Sequence, residues 1–222
     1  MKVAGYIGVD VQSARDCPYV VLNAELKPQA SGWLKDAREV RAVVLDAAKS
    51  LGTVAIGIDA PRCPLPKLRP HYWDRNKWRP RRTSESGHGR HCEVILAALK
   101  ISKPQYTPPL NACPDWMLTG FKLFDALSAE DHIYEVFPSA SYRLLAKDRS
   151  AVLSVCLSGF AEGPKDMLDA YVAAFTVHEY LAGKGTVVGG GDGLGVIVLP
   201  RPIHALKPKV LHWPESQDMI GA

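Results

Sequence analysis

Short, almost wholly apolar runs alternate along this chain with amphipathic stretches of 3.6-residue period. Residues 2–9 and 18–26, rich in Val, Ile and Tyr, predict two strands joined by the polar turn Gln12-Ser13-Ala14-Arg15-Asp16. Such a pair predicts a hairpin whose first strand is central. Leu34, Ala37, Val40, Val43, Val44, Ala47 and Leu51 share one stripe, which predicts a helix from Ser31 to Leu51 stopped by Gly52. Residues 53–58 are continuously apolar, as in a strand buried on both faces. Glu93 to Leu99 and Pro114 to Leu127 read as helices around a proline-rich joint at 104–114. A short strand at His132 to Phe137 precedes a helix at Ser139 to Lys147. Asp166 to Gly183 carries the clearest helical period, with Leu168, Tyr171, Val172 and Phe175 inward. Two β runs, Thr186 to Val188 and Val196 to Leu199, flank Gly189–Gly193, which reads as a hairpin turn.

This order predicts a mixed α/β fold, its sheet combining an antiparallel hairpin with parallel strands and helices packed on it. The 222 residues suit a single domain over 1–205, with an insertion at about 61–130 and a C-terminal tail at 206–222. Hydrophobic content of 47% against 23% charged residues excludes a disordered chain. Five scattered cysteines (17, 63, 92, 113, 156) without a C-x-x-C pair fit reduced thiols. The apolar N-terminal run is too short and too soon charged for a secretory leader, and no run approaches a membrane span. A cytoplasmic protein without a membrane partner is the expectation.

Charge changes the picture only locally. The formal net charge is +4, but residues 62 to 90 hold nine Lys/Arg against Asp74 and Glu85. From Ala60 to Gly89 this proline-rich stretch predicts a long loop or ordered arm without folded strands. Arg62, Lys67, Arg69, Arg75, Lys77, Arg79, Arg81, Arg82 and Arg90, interleaved with Tyr72, Trp73 and Trp78, suit phosphate contact plus base stacking. The expected partner is nucleic acid, DNA or RNA; the competing reading is a solvated loop whose tryptophans pack back on the domain. Pairing into a homodimer is left open. Arg90 and Glu93, one helical turn apart, predict an ion pair or a phosphate contact. His88, His91, Cys92 and Cys63 match no common zinc spacing, and no G-x-S-x-G elbow exists for acyl transfer.

The chemistry-bearing feature is a set of acids at element ends. Asp10 and Asp59 close two apolar runs, while Asp166 and Asp169 open the late helix three residues apart and so share a face. Each alone also fits a turn former or helix cap. Converging carboxylates repel unless a cation neutralises them, and an oxygen-only cluster suits Mg²⁺ or Mn²⁺ and phosphate chemistry.

In this order, Gly8-Val9-Asp10, Gly57-Ile58-Asp59-Ala60-Pro61 and Asp166-Met167-Leu168-Asp169-Ala170 resemble the RNase H-like superfamily. More narrowly they resemble domain-of-unknown-function family 429, described as predicted RNase H-fold nucleases. Glu135-Val136-Phe137-Pro138 and Gly195–Pro200 are similar to that family's later motifs. The Asp-x-x-Asp-Ala helix start is similar to RuvC-like resolvases of the same superfamily. The resemblance runs from residue 5 to 200 and implies an RNase H-like sheet with a basic, partly helical insertion. It implies a two-metal nuclease in which Asp10 bridges two Mg²⁺ or Mn²⁺ ions, Asp59 binds one, and Asp166 or Asp169 the other. Glu135 stands either as a fifth acidic ligand or as a strand-end acid paired with an arginine such as Arg143. Lys165 or Lys147 would steady the scissile phosphate. Val11-Gln12-Ser13-Ala14 replaces the Gly-rich turn and Trp that often follow the first Asp in the family.

Two other classes compete. A non-catalytic nucleic-acid-binding module would keep the fold and bind without cleaving. An actin-like phosphotransferase would need two Gly-rich phosphate loops and a second lobe, which this chain lacks.

Overall fold

Apolar runs become strands and amphipathic stretches become helices over residues 2–148, 164–203 and 208–214, which the computed structural model describes. In chain order, β1 (Gly5–Asp10), β2 (Cys17–Asn23) and β3 (Pro28–Leu34) precede helix α1 (Glu39–Leu51) and β4 (Val54–Asp59). A hairpin of β5 (His71–Asp74) and β6 (Lys77–Pro80) follows, then α2 (His91–Ala98) and α3 (Asp115–Ala126). Strand β7 (Ile133–Val136), α4 (Pro138–Leu145), α5 (Pro164–Leu181), β8 (Thr186–Gly189) and β9 (Val196–Leu199) complete it. Cys156, Gly163 and most of the predicted tail lie outside the described residues.

Seven strands form one mixed sheet in the order β3-β2-β1-β4-β7-β9-β8. β1, β2 and β3 run antiparallel to one another, whereas β4 is parallel to β1 and β7 is parallel to β4. This is the mixed α/β class expected from the pattern, with β1 interior, and it is consistent with the RNase H-like sheet that the resemblance implies. Alternate residues feed two cores. Ile7, Val9, Ile56 and Ile58 pack with Val40, Val44 and Leu123 from α1 and α3. Tyr6, Ala55 and Leu22 face the other way, onto Ala170, Ala173, Ala174 and Val177 of α5. Each buried isoleucine contributes about 1.5–3 kcal/mol relative to exposure.

Two stretches depart from the sequence expectation. The helix predicted from Ser31 begins at Glu39, because Pro28–Leu34 instead pairs antiparallel with β2. The open edge of β2 offers main-chain partners that a helical Pro28–Leu34 would leave unused. Asp36 and Glu39 then set the helix start: Asp36 Oδ1 accepts from the Arg38 N–H (2.7 Å) and Glu39 Oε2 from the Lys35 N–H (2.7 Å). The basic arm, predicted without strands, contains the β5–β6 hairpin, turned at Arg75 and Asn76 in left-handed backbone. Four residues of ladder on each side outweigh the poor strand composition.

The chain divides into two compact units. The sheet-bearing unit holds 1–62, 114–186 and 198–202, so α3 belongs to it. The second holds 63–113, 187–197 and 203 onward. In the second unit Arg90 and Glu93 form the predicted ion pair at 2.8 Å, wholly buried, and Glu93 also accepts the Thr107 N–H at 2.9 Å. The Gly-rich turn closes as expected, with Gly190 donating to the Gly195 carbonyl at 3.0 Å. Among the described residues Cys17, Cys63, Cys92 and Cys113 are thiols outside any disulfide, and no helix is long and apolar enough to cross a membrane.

Candidate metal centre

Asp10 and Asp59 are register partners on parallel β1 and β4, so both side chains leave the same sheet face at its carboxyl end. That face is the one α5 covers. The helix comes close because Gly8 and Gly57 stand beneath it: a Cβ on Gly8 would lie 1.8 Å from the Ala170 carbonyl oxygen. One on Gly57 would lie 2.7 Å from that of Ala173. Small residues on both elements thus press the helix backbone onto the sheet. Its first two turns then deliver Asp166 and Asp169 to Asp10.

One carboxylate oxygen from each of Asp10, Asp166 and Asp169 lies within 4.8 Å of the others, and all three residues are buried. An ion held at about 2.0–2.6 Å from each oxygen spans pairs up to roughly 4–5 Å apart, so the spacing accommodates a hard cation. Among the described residues this is the one group of three potential ligands that converges. Asp59, partly buried, adjoins it electrostatically.

The charges strain one another. Burial pushes the Asp10 carboxyl up to about 7; the Gln12 side-chain hydrogen bond (2.6 Å) opposes this, while Asp169 and Asp166 add to it. Asp59 is raised well above the usual carboxylate range, by burial first and then by Asp10, Asp169 and Glu135. Counterions come from the surface. Arg15 pairs with Asp166, and Lys165 with Asp169, their side chains 50% and 79% exposed. Each is a solvent-anchored cation on a buried acid, so leaving the acid returns the cation to water rather than stranding it inside. An all-oxygen, buried, mutually repelling donor set whose cations are displaceable fits Mg²⁺ or Mn²⁺.

Tyr142 on α4 donates its hydroxyl to Asp169 Oδ1 at 2.7 Å. Burial, then that hydrogen bond, pushes the phenol up, so it stays protonated and aims the carboxylate. Tyr142→Phe removes the aim without removing the ligand. Mn²⁺ affinity is expected to fall about 10–100-fold, as for other partners of metal ligands; calorimetric titration checks this.

Glu135 is differently placed. It is the register partner of Ile58, one residue out of step with Asp59, and so faces the opposite side of the sheet. Its Oε2 accepts the Arg62 N–H at 3.0 Å, which fixes the chain just beyond Asp59. It lies outside the converging group. Lys147 is exposed beyond the end of α4, while Lys165 is already on Asp169.

Much of the basic segment is turned to internal use. Arg62 donates to the Ile133 carbonyl (2.7 Å) and lies over the Phe124 ring. Arg69 is buried over the rings of Tyr72 and Tyr106, and Arg90 is buried against Glu93. Arg79 braces Asp74 and Glu85, and Arg81 donates to the Glu85 carbonyl at 3.2 Å. Trp73 meets Trp78 edge-on, and Trp78 packs on Trp213 and donates to the Lys209 carbonyl (3.1 Å). Lys67, Arg75, Lys77 and Arg82 are exposed.

Three residues of the centre escape the sequence reading: Gln12, Arg15 and Tyr142. Gln12 and Arg15 read only as turn residues, and Tyr142 as one more aromatic on a short helix. Their proximity to the first and last acids is created by the hairpin and by the packing of α4 on α5. No protein-family model, curated protein or solved structure matches this chain.

Proposed function

We propose that the protein is a divalent-metal-dependent phosphodiesterase that hydrolyses nucleic acid, an RNase H-like nuclease using two Mg²⁺ or Mn²⁺ ions. The observation that carries the reading is the convergence of Asp10, Asp166 and Asp169 within 4.8 Å at the carboxyl end of the sheet. Asp10, Asp166 and Asp169 would hold one ion, and Asp59, the register partner of Asp10, would contribute to a second. Bound metal would supply Lewis acidity and an attacking water of lowered pKa. Arg15 and Lys165, once released from Asp166 and Asp169, would be free to meet the phosphate.

The test joins two measurements. Crystals soaked in Mn²⁺ should show anomalous peaks between Asp10 and the first turn of α5, and purified protein should cleave part of a panel of single-stranded, duplex and branched DNA and RNA in Mg²⁺. Empty density at millimolar Mn²⁺ overturns the reading.

A second reading, a nucleic-acid-binding module without catalysis, is favoured by one observation: Asp166 and Asp169 already carry cationic partners. It predicts binding without cleavage and no effect of Asp10→Asn on binding.

A further inference from the structure

The sheet-bearing unit carries a basic groove that no sequence pattern marked. It opens between the first turn of α1 and the exposed face of α3, with a volume of about 640 Å³. Lys35, Arg38, Arg41 and Lys122 line it, all exposed, against Asp36 and Asp125. Asp36 is quenched: Arg38 grips it with Nε at 3.1 Å and Nη2 at 2.7 Å, and those hydrogen bonds hold its carboxyl down at about 2. The groove therefore faces solvent as a positive surface.

It also leads somewhere. Lys35, Asp36 and Thr119 line a second, smaller cleft of about 130 Å³ as well, whose far wall is Gln12 and Arg15. Gln12 is hydrogen-bonded to Asp10, and Arg15 is paired with Asp166. The two clefts share Lys35, Asp36, Ala37 and Thr119, so within this unit the basic groove adjoins a cleft whose lining includes partners of two of the acids. A positive track ending at a carboxylate cluster is the charge order that a polyanion needs if one of its phosphates is to reach a metal while its neighbours are held.

The geometry points to this groove as the track for the sugar–phosphate backbone of the nucleic acid that enters the centre. The inference rests on the nuclease reading and adds its binding surface. No aromatic side chain lines the groove, so contacts go to phosphates rather than bases. Binding through it is independent of base sequence and steeply salt-dependent. The exposed lysines and arginines of the 62–90 segment are then not the principal contact.

The test compares two sets of surface variants in the full chain: K35A/R41A/K122A in the groove, and K67A/R75A/K77A/R82A in the basic segment. Binding of fluorescein-labelled single-stranded and duplex oligonucleotides is read by anisotropy in Ca²⁺ over a range of salt. The groove variant is expected to bind at least about tenfold more weakly, with a log K against log salt slope shallower by about 2–3. The segment variant should lose less than the groove variant. Equal affinity of groove variant and wild type, a larger loss in the segment variant, or no binding by wild type overturns the inference. Mn²⁺-induced thermal stabilisation, measured on the same proteins, scores the metal centre separately: the groove variant should retain it whichever way binding falls.

Discussion

Asp10→Asn is expected to melt higher than wild type without metal, to lose its response to metal, and to be inactive. The carboxyl of Asp10 is raised to about 7 in the fold, chiefly by burial, against about 3.9 in an unfolded chain. A group raised on folding favours the native state when protonated, so that contribution is complete below about pH 4 and is lost as pH climbs through about 7. Wild type without metal should therefore lose stability over that window, and Asn, which cannot ionise, should not. At pH 8 the variant gains about 1–3 kcal/mol, after discounting a shift of about three units for relaxation. At pH 4 the two should coincide. Divalent metal reverses the order: at one hundred times its Kd an ion stabilises wild type by about 2.7 kcal/mol, and should leave the variant unmoved. Cleavage should fall more than about 100-fold, since even partners of metal ligands cost 10–100-fold. Differential scanning fluorimetry across pH, with and without Mn²⁺, decides it. An Asn variant still stabilised by Mn²⁺ like wild type would remove Asp10 from the centre.

Gly8→Ala should be among the most damaging single-atom additions available. Its Cβ would sit 1.8 Å from the Ala170 carbonyl oxygen and 2.6 Å from the Ala174 nitrogen, both backbone atoms of a helix that cannot bend aside locally. The whole of α5 must lift from the sheet, exposing Ala170, Ala173 and Ala174, which are buried. A loss exceeding about 3 kcal/mol is expected, at the upper end for overpacking. Gly57→Ala, where the contact is 2.7 Å, should cost less. Urea unfolding gives the ranking. Because the same displacement moves Asp166 and Asp169 from Asp10, any Gly8→Ala protein that folds should also bind Mn²⁺ more weakly. A loss under about 1 kcal/mol with intact metal binding would show that α5 does not depend on this glycine.

The acids themselves were legible because each sits at a boundary that hydrophobic pattern alone reveals. Asp10 ends an apolar run, Asp59 ends another, and Asp166 opens a helical stripe. Their convergence was not derivable from spacing within any one element, since β1 and α5 are separated by most of the chain. Glu135 shows the limit well. Its position at a strand end resembles that of Asp59, yet the register Ile58↔Glu135 turns it to the other face. A shift of one residue decides which sheet face a strand-end acid leaves from, and nothing in the local sequence reports register. The basic segment illustrates the converse. Its charge was conspicuous, but Arg69, Arg79 and Arg90 are used inward, against Tyr72, Glu85 and Glu93 a few residues away, and of these pairings only Arg90–Glu93 showed in the spacing. The groove cations went unnoticed because Lys122 lies far along the chain from Lys35 and Arg41.

By itself the order of residues determined most strands and helices and where carboxylates terminate them, because backbone sterics and side-chain period are local properties; β3 and the β5–β6 hairpin were decided by pairing. Packing alone decided which of those carboxylates meet. A pair of side-chain-free positions beneath one helix, and the parallel alignment of two buried strands, bring like charges together at a cost that a neutralising ion, a retained proton, or a borrowed arginine and lysine offsets.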